Sequence, residues 1–440
     1  MRVLIFHGYM LRGTGSNIYN ANLAPALARL GHEVHLLSQD RRVRLEGVEV
    51  HNPDIGGLLP VYVKDPYEGF EVKTFSEMSE GELDRYLDAN VAAVRAVAES
   101  AGEIDVALAN HLVMGPAILA RAGVAPFAAK VHGSALEYTV KPDPRFVPYA
   151  REGVEAANGV LVGSRHTAES LWAALPEVEG LRERTRLGPP GVDVEEFRPC
   201  GEREPLVAYV GKLIVSKGVD LLLAAWPLVL ARHPAARLVV VGFGAYRATL
   251  EALQAALAAG DLAAARAIAA AGREPEGGPP GALRHLDAFL RSPAAAAPAY
   301  AAAATRLPER VVWCGRLEHA ELAELLPACE AQVVPSTFPE AFGMVAAEAA
   351  ACGVLPVSAA HSGLAEVTRR LAQAVPAQAA PLLAFTVGPG AVEEIAARLT
   401  AWLDAPAGLR ARTRDALVAT ARERFSWGGV AAGVLSAAAG

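Results

Sequence analysis

The 440-residue chain is poor in cysteine, in aromatic residues and in long apolar runs. Its four cysteines, Cys200, Cys314, Cys329 and Cys352, are scattered without metal-ligand spacing, so reduced core thiols are expected in place of a disulfide frame or a zinc site. The hydrophobic share of 52% is inflated by alanine, and no uninterrupted apolar stretch is long enough to cross a bilayer. Residues 2–6 read as a first buried strand and not as a signal peptide, because Gly8 and Arg12 interrupt the run. A soluble, cytoplasmic protein follows as the expectation. With 41 basic and 48 acidic residues the formal net charge is −7, which argues against a dedicated nucleic-acid binder. The length exceeds what one core usually supports, so two domains are expected.

Short apolar runs alternate with helical patterns: 2–6, then a helix to residue 30, then 33–37. This is the βαβ rhythm of a doubly wound α/β sheet with buried parallel strands. Similar runs recur at 106–109, 128–131 and 159–162. A second series, 206–210, 237–241, 311–314, 332–335 and 354–358, follows the polar, proline-bearing stretch 191–199. Two Rossmann-like halves, 1–197 and 198–424, are the economical reading. An insertion rich in Ala, Gly and Pro occupies 245–310, with helices expected near 249–259, 262–271 and 283–290. It reads as a helical excursion from the second half, with acceptor binding or homo-oligomerisation as the rival role.

Between Phe338 and Glu348 two carboxylates, Glu340 and Glu348, bracket a glycine and a short apolar run. A helix starting near Gly343 would present free N–H groups as an anion site, with Glu340 just before it and Glu348 about one turn inside. The two carboxylates could hold a sugar and a ribose diol, with a diphosphate between them on the helix terminus. A nucleotide-sugar has that layout. With Val334-Pro335-Ser336 before it and Ala349-Ala350-Ala351-Cys352-Gly353 after it, the segment resembles the donor-site signature of the retaining family 4 glycosyltransferases. Four other segments fit that family in the same order and cover most of the chain. The resemblance implies a GT-B fold, two Rossmann-like domains facing across a cleft, with a last helix at about 425–440 returning to the first. It also implies donor contacts from Ala341, Phe342, Gly343, Met344 and Val345 beside Glu348, and a hexose contact from Glu340.

Ligands of doubly wound sheets collect at the carboxyl ends of strands. Here these ends carry His7-Gly8, Asn110-His111 and His132-Gly133-Ser134. His132 gains a catalytic role near the donor hexose from the resemblance; His7 and His111 are acceptor-contact candidates. The loop through Gly13 and Gly15 supplies backbone N–H groups that could approach a phosphate. A dinucleotide fingerprint is the rival, supported by Asp40, but the third glycine is missing and the loop is too long. In the second half Gly211-Lys212 ends a strand and Lys217-Gly218 follows, two cations suited to a departing diphosphate. The family usually has arginine where Lys212 stands, so the bidentate fork is lost here. Gly242 and Gly244 resemble the family's glycine pair near the donor, and Gly315-Arg316-Leu317 its nucleobase-reading segment.

The resemblance further implies front-face attack by the acceptor hydroxyl, with the leaving diphosphate taking its proton and no enzymic nucleophile or metal cofactor. Asp193-Val194-Glu195 looks like a metal cluster but lies in the linker. A UDP-sugar is the family-weighted donor, and the acceptor is unidentified. Alternatives are a nucleotide-sugar epimerase or a phosphorylase of the same architecture, and a non-catalytic nucleotide-sugar binding protein.

Overall fold

The computed structural model describes residues 1–440 except Thr14, Asp65, Pro66, Cys200, Glu202, Pro279 and Pro280. Cys200 and Thr14 of the Gly13 loop therefore lie outside the described residues. The chain forms two units, Met1–Gly191 with Phe425–Gly440, and Val192–Arg424. The division falls a little before the junction expected near 198, because Val192 and the residues after it pack with the second unit.

The strands are β1 (Arg2–Phe6), β2 (Glu33–Leu37), β3 (Val48–His51), β4 (Leu58–Val61), β5 (Glu71–Thr74), β6 (Val106–Asn110), β7 (Phe127–Val131), β8 (Gly159–Val162) and β9 (Thr185–Leu187) in the first unit. The second has β10 (Leu206–Val210), β11 (Arg237–Val241), β12 (Val311–Gly315), β13 (Ala331–Val334), β14 (Leu355–Ala359) and β15 (Ala384–Phe385). The first main sheet runs in the order β3-β2-β1-β6-β7-β8-β9, and β4-β5 form a separate pair. The second sheet runs β12-β11-β10-β13-β14-β15. Every strand pairing is parallel. The middle strands β6, β7 and β14 are buried along their whole length, which is why they read as largely apolar runs. In each sheet the strand order reverses beside the first strand of its unit, between β1 and β6 and between β10 and β13, and it is there that a doubly wound sheet opens a ligand crevice.

One face of the first sheet carries the helix Glu80–Ala101. Its start is fixed by Ser79, whose backbone N–H donates to Glu82 at 2.9 Å while Glu82 N donates back to the Ser79 hydroxyl at 3.4 Å. The other face is covered by the helices Gly15–Arg29 and Trp427–Ala439. Trp427, Ala431, Val434 and Ala437 of the last helix join Tyr19, Leu23, Ile5 and Leu108 in one core. Gly159 permits this approach, because a Cβ there would stand 2.3 Å from the Ala437 carbonyl oxygen. The 245–310 insertion is helical, as expected, with Arg247–Ala258, Leu262–Ala271 and Arg284–Leu290; two further helices, Pro298–Ala304 and Leu307–Arg310, complete it. The helix after β1 begins at Gly15, so Gly15 belongs to it and not to a preceding loop.

Candidate functional site

In the first unit the expected histidines do converge. His7, immediately after β1, is buried, and its Nε2 lies 2.9 Å from both the Met10 carbonyl and Asn17 Oδ1. A carbonyl can only accept, so the proton sits on Nε2 and Asn20 donates to Nδ1 at 3.1 Å. Asn20 and Asn110 exchange bonds of 2.8 and 3.1 Å, and Asn110 Oδ1 stands 2.8 Å from His132 Nε2. His7, Asn20, Asn110 and His132 thus form a continuous hydrogen-bonded chain along the ends of β1, β6 and β7. Burial pushes His7 down to about 4, and burial followed by the neighbouring His111, Lys130 and His7 holds His132 well below the usual imidazole range. At neutral pH these rings are hydrogen-bonding groups and not cations.

His111 differs. It takes a left-handed backbone conformation (φ 68°), and neither of its buried ring nitrogens has a hydrogen-bond partner. The rings of His7, Tyr9, Tyr62 and His132 stand around it, with centroids 4.9–5.8 Å away. The two unpartnered ring nitrogens and the left-handed backbone set His111 apart from the hydrogen-bonded His7 and His132. Asn20, Tyr9 and Tyr62 were not singled out in the sequence, where nothing links them to the histidines.

In the second unit the loops after β10 and β13 meet: Thr337 N donates to the Ser216 carbonyl at 2.9 Å, and a Cβ on Gly218 would lie 2.0 Å from the Pro335 carbonyl oxygen. Gly218 (φ 66°) and Gly343 (φ 117°) begin the helices Val219–Arg232 and Met344–Ala351, and neither helix has a side-chain N-cap. The first N–H groups of the helix Met344–Ala351 are therefore open to an anion, whereas in the first turn of the other helix the buried Asp220 carboxyl accepts from the Asp220 and Leu221 backbone N–H groups. Lys217 donates to Glu340, which also accepts from Ser336 Oγ at 2.5 Å. Ser362 accepts from the Glu340 backbone N–H at 2.8 Å, and His361 reaches the Ser336 carbonyl with Nε2 at 2.7 Å. Two residues assigned to different parts of a donor are thus bonded to each other. Lys212 is held at about 8, chiefly by burial and then by Lys217.

Glu348 is buried within the helix Met344–Ala351, and burial, with a smaller push from Glu196, raises it to about 7. His319 Nε2 lies 3.9 Å from its Oε1, and the His319 ring packs edge-on against Phe197 at 4.6 Å. His319, Phe197 and Glu196 were missed because each is remote from the Glu348 segment in sequence. Gly211, Gly242 and Gly244 allow close backbone approach: a Cβ on Gly242 would lie 1.8 Å from the Gly211 carbonyl oxygen, and Gly242 N donates to Gly315 O at 2.8 Å. Arg316 stacks over Phe243 at 5.6 Å and pairs with Glu318 at 3.0 Å. Ala341, Phe342, Met344 and Val345 flank the Gly343 terminus. Cys329 and Cys352 are core thiols as expected, but Cys314 is exposed because β12 is an edge strand whose residues alternate between core and solvent.

Residues 13–196 match the model for Glycosyltransferase Family 4, while 204–290 and 296–424 match models for Glycosyl transferases group 1. The chain belongs to the family 4 glycosyltransferases. Among curated relatives, D-inositol 3-phosphate glycosyltransferase of Xylanimonas cellulosilytica is 29% identical, covering 80% of this chain and 77% of its own. A GDP-mannose-dependent monoacylated alpha-(1-6)-phosphatidylinositol monomannoside mannosyltransferase of Corynebacterium glutamicum is 26% identical over 56% of this chain and 55% of its own. Among solved structures, Anabaena HepE in complex with UDP and glucose superposes with a TM-score of 0.61 at 17% identity, covering 99% of this chain and 98% of that one. Sucrose-phosphate synthase of Thermosynechococcus elongatus gives 0.60 at 20% identity, covering 99% and 98%. This glycosyltransferase accordingly has the GT-B fold of two Rossmann-like domains. Among its described residues no helix is long and apolar enough to cross a membrane.

Proposed function

We propose that this glycosyltransferase moves a hexosyl unit from a UDP-sugar to an acceptor hydroxyl with retention of anomeric configuration, without a metal cofactor. The observation that carries the reading is the Lys217–Glu340 pair beside two glycine-capped helix termini, with Glu348 buried in the second helix. A bound donor exchanges partners with this pair: the diphosphate takes Lys217, Lys212 and the helix N–H groups, and the freed Glu340 accepts hydroxyls of the sugar. Glu348 accepts the ribose diol. As the glycosidic C–O bond breaks, negative charge grows on the diphosphate, where the preorganised lysines lower the barrier. The acceptor oxygen adds on the same face and its proton passes to the departing phosphate. His132, neutral and hydrogen-bonded through Asn110, acts in the first unit as a hydrogen-bonding group and not as a cation.

The curated relatives are named for inositol-containing acceptors, so inositol phosphates and phosphatidylinositol mannosides head the acceptor panel. Donors to be compared are UDP-, GDP- and ADP-sugars, first by thermal shift and then by turnover. Proton NMR of the first-formed product, recorded with a chelator present, reads the anomeric coupling; an α-linked donor is expected to give an α-linked product. A β-linked product overturns the mechanism, and a strict metal requirement overturns the way charge is neutralised. Release of nucleotide without an acceptor would mark an epimerase, and donor binding with no turnover on any acceptor a sensor.

A further inference from the structure

On the outer edge of the first sheet three side chains that carry no role in the transferase chemistry converge from two neighbouring strands. β2 and β3 pair in parallel register, with His35 opposite Glu49 and Leu37 opposite His51. His35, Glu49 and His51 therefore project from the same face. His35 Nδ1 lies 3.1 Å from His51 Nε2 and 3.4 Å from Glu49 Oε2, and Glu49 Oε1 lies 3.8 Å from His51 Nε2.

The protonation pattern makes this triangle informative. His35 Nε2 lies 3.1 Å from Glu33 Oε1, and Glu33 is itself held by Arg2 at 3.1 Å. An ionised carboxylate only accepts, so a neutral His35 ring can donate to Glu33 through Nε2 or to Glu49 through Nδ1 but not to both, and with the proton on Nε2 its Nδ1 presents a lone pair. That lone pair faces a second imidazole nitrogen and a carboxylate oxygen. Hydrogen bonding from His51 could satisfy one of these contacts, but it leaves the Glu49 carboxylate directed at a lone pair. A cation at the centre satisfies all three. The contacts, 3.1 and 3.4 Å at His35 Nδ1 and 3.8 Å between the other Glu49 oxygen and His51, bracket the tetrahedral edges of about 3.3–3.4 Å that zinc bonds of about 2.0–2.1 Å imply.

We infer that His35, His51 and Glu49 form a binding site for a divalent transition-metal cation of zinc type, with Glu33 as the carboxylate that orients the His35 ring. Two imidazoles and one carboxylate select zinc over magnesium or calcium, which prefer all-oxygen shells. Three protein ligands leave the fourth position to water, and Glu49 is exposed enough for the ion to enter from solvent. Among the described residues β3 pairs with β2 alone, so the ion would clip the edge strand to its neighbour.

The test uses the full chain, stripped with a chelator and titrated with zinc against a chromophoric competitor. One equivalent is expected to bind and to raise the unfolding temperature, while magnesium leaves it unmoved. Glu49→Ala and His51→Ala, at less buried positions than His35, are expected to abolish both effects without disturbing the apo fold by circular dichroism. Glu33→Gln, which removes an orienting partner and no ligand, is expected to weaken zinc by about 10–100-fold. Cobalt substituted for zinc is expected to give the intense visible absorption of a four-coordinate ion. Zinc binding no stronger in the wild type than in the Glu49→Ala/His51→Ala double variant overturns the inference, as does a weak six-coordinate cobalt spectrum. Uptake of a proton by His35 in place of the metal would show as the first of these results.

Discussion

Replacing Glu348 by glutamine is expected to strengthen the fold and weaken nucleotide binding at once. Burial, and then the charge of Glu196, lifts the carboxyl from its ordinary 4.5 to about 7. The folded state therefore holds the Glu348 proton more tightly than the unfolded state does. That extra stability is fully present below pH 4.5 and is lost as pH rises through about 7. At about 1.4 kcal/mol per pH unit, ionising Glu348 in the ligand-free protein costs about 3 kcal/mol. Glutamine has the same shape and no charge to bury, so it escapes this loss. The stability difference between variant and wild type is expected to widen by about 3 kcal/mol from acid to mildly alkaline pH. The same ionised carboxylate is what a ribose diol would meet, and losing charge-assisted bonds to it is worth about 1.5–3 kcal/mol, or roughly 10–100-fold in affinity. Denaturant unfolding across the pH range, with calorimetry using UDP on the same samples, reads both effects. A variant whose stability falls with pH as steeply as the wild type's would refute the buried-carboxylate argument, and unchanged nucleotide affinity would remove Glu348 from the site.

Lys217→Ala is expected to lower turnover by about 10²-fold or more at saturating donor and acceptor, with a smaller effect on donor binding, since the contact strengthens as the diphosphate leaves; near-normal turnover would end its leaving-group role. Lys212, held at about 8, carries its charge below that value and loses it above, so donor affinity is expected to fall as pH rises past about 8. Glu348 acts in the opposite sense below about 7, which leaves a binding optimum between the two values; Lys212→Met is expected to flatten the alkaline limb, and a limb that persists in that variant belongs to another group. Gly242→Ala would place a Cβ 1.8 Å from the Gly211 carbonyl oxygen, and the variant is expected to unfold earlier by about 1–3 kcal/mol or more, as read by denaturant midpoint.

The sequence made the central strands legible because a strand buried on both faces reads as a largely apolar run, as in β6, β7 and β14, each broken by one polar residue, Asn110, Lys130 and Ser358. The short, half-exposed strands β3, β5 and β9 lack that signature and were not anticipated. Gly343 announced its helix, because a glycine ahead of a small apolar run marks a chain reversal into one. The bonds of the site were not legible. Lys217 and Glu340 are 123 residues apart, and the path from His7 to His132 runs through Asn20 and Asn110, whose amides have no periodicity to betray them. Cys314 was expected inside with the other scattered cysteines; only the position of β12 at the sheet edge turns it outward.

The helix Trp427–Ala439 lies at the far end of the chain from the sheet it covers, and that order has a consequence for synthesis. While the ribosome makes residues 192–424, the first unit already has all its strands, but the face lined by Val3, Ile5, Leu108 and Leu161 lacks the apolar cover that Trp427, Ala431, Val434 and Ala437 supply. The second unit can close on itself before that cover exists. The nascent first unit must therefore keep an apolar strip exposed until residues 427–437 emerge, and in that interval the strip is open to a chaperone.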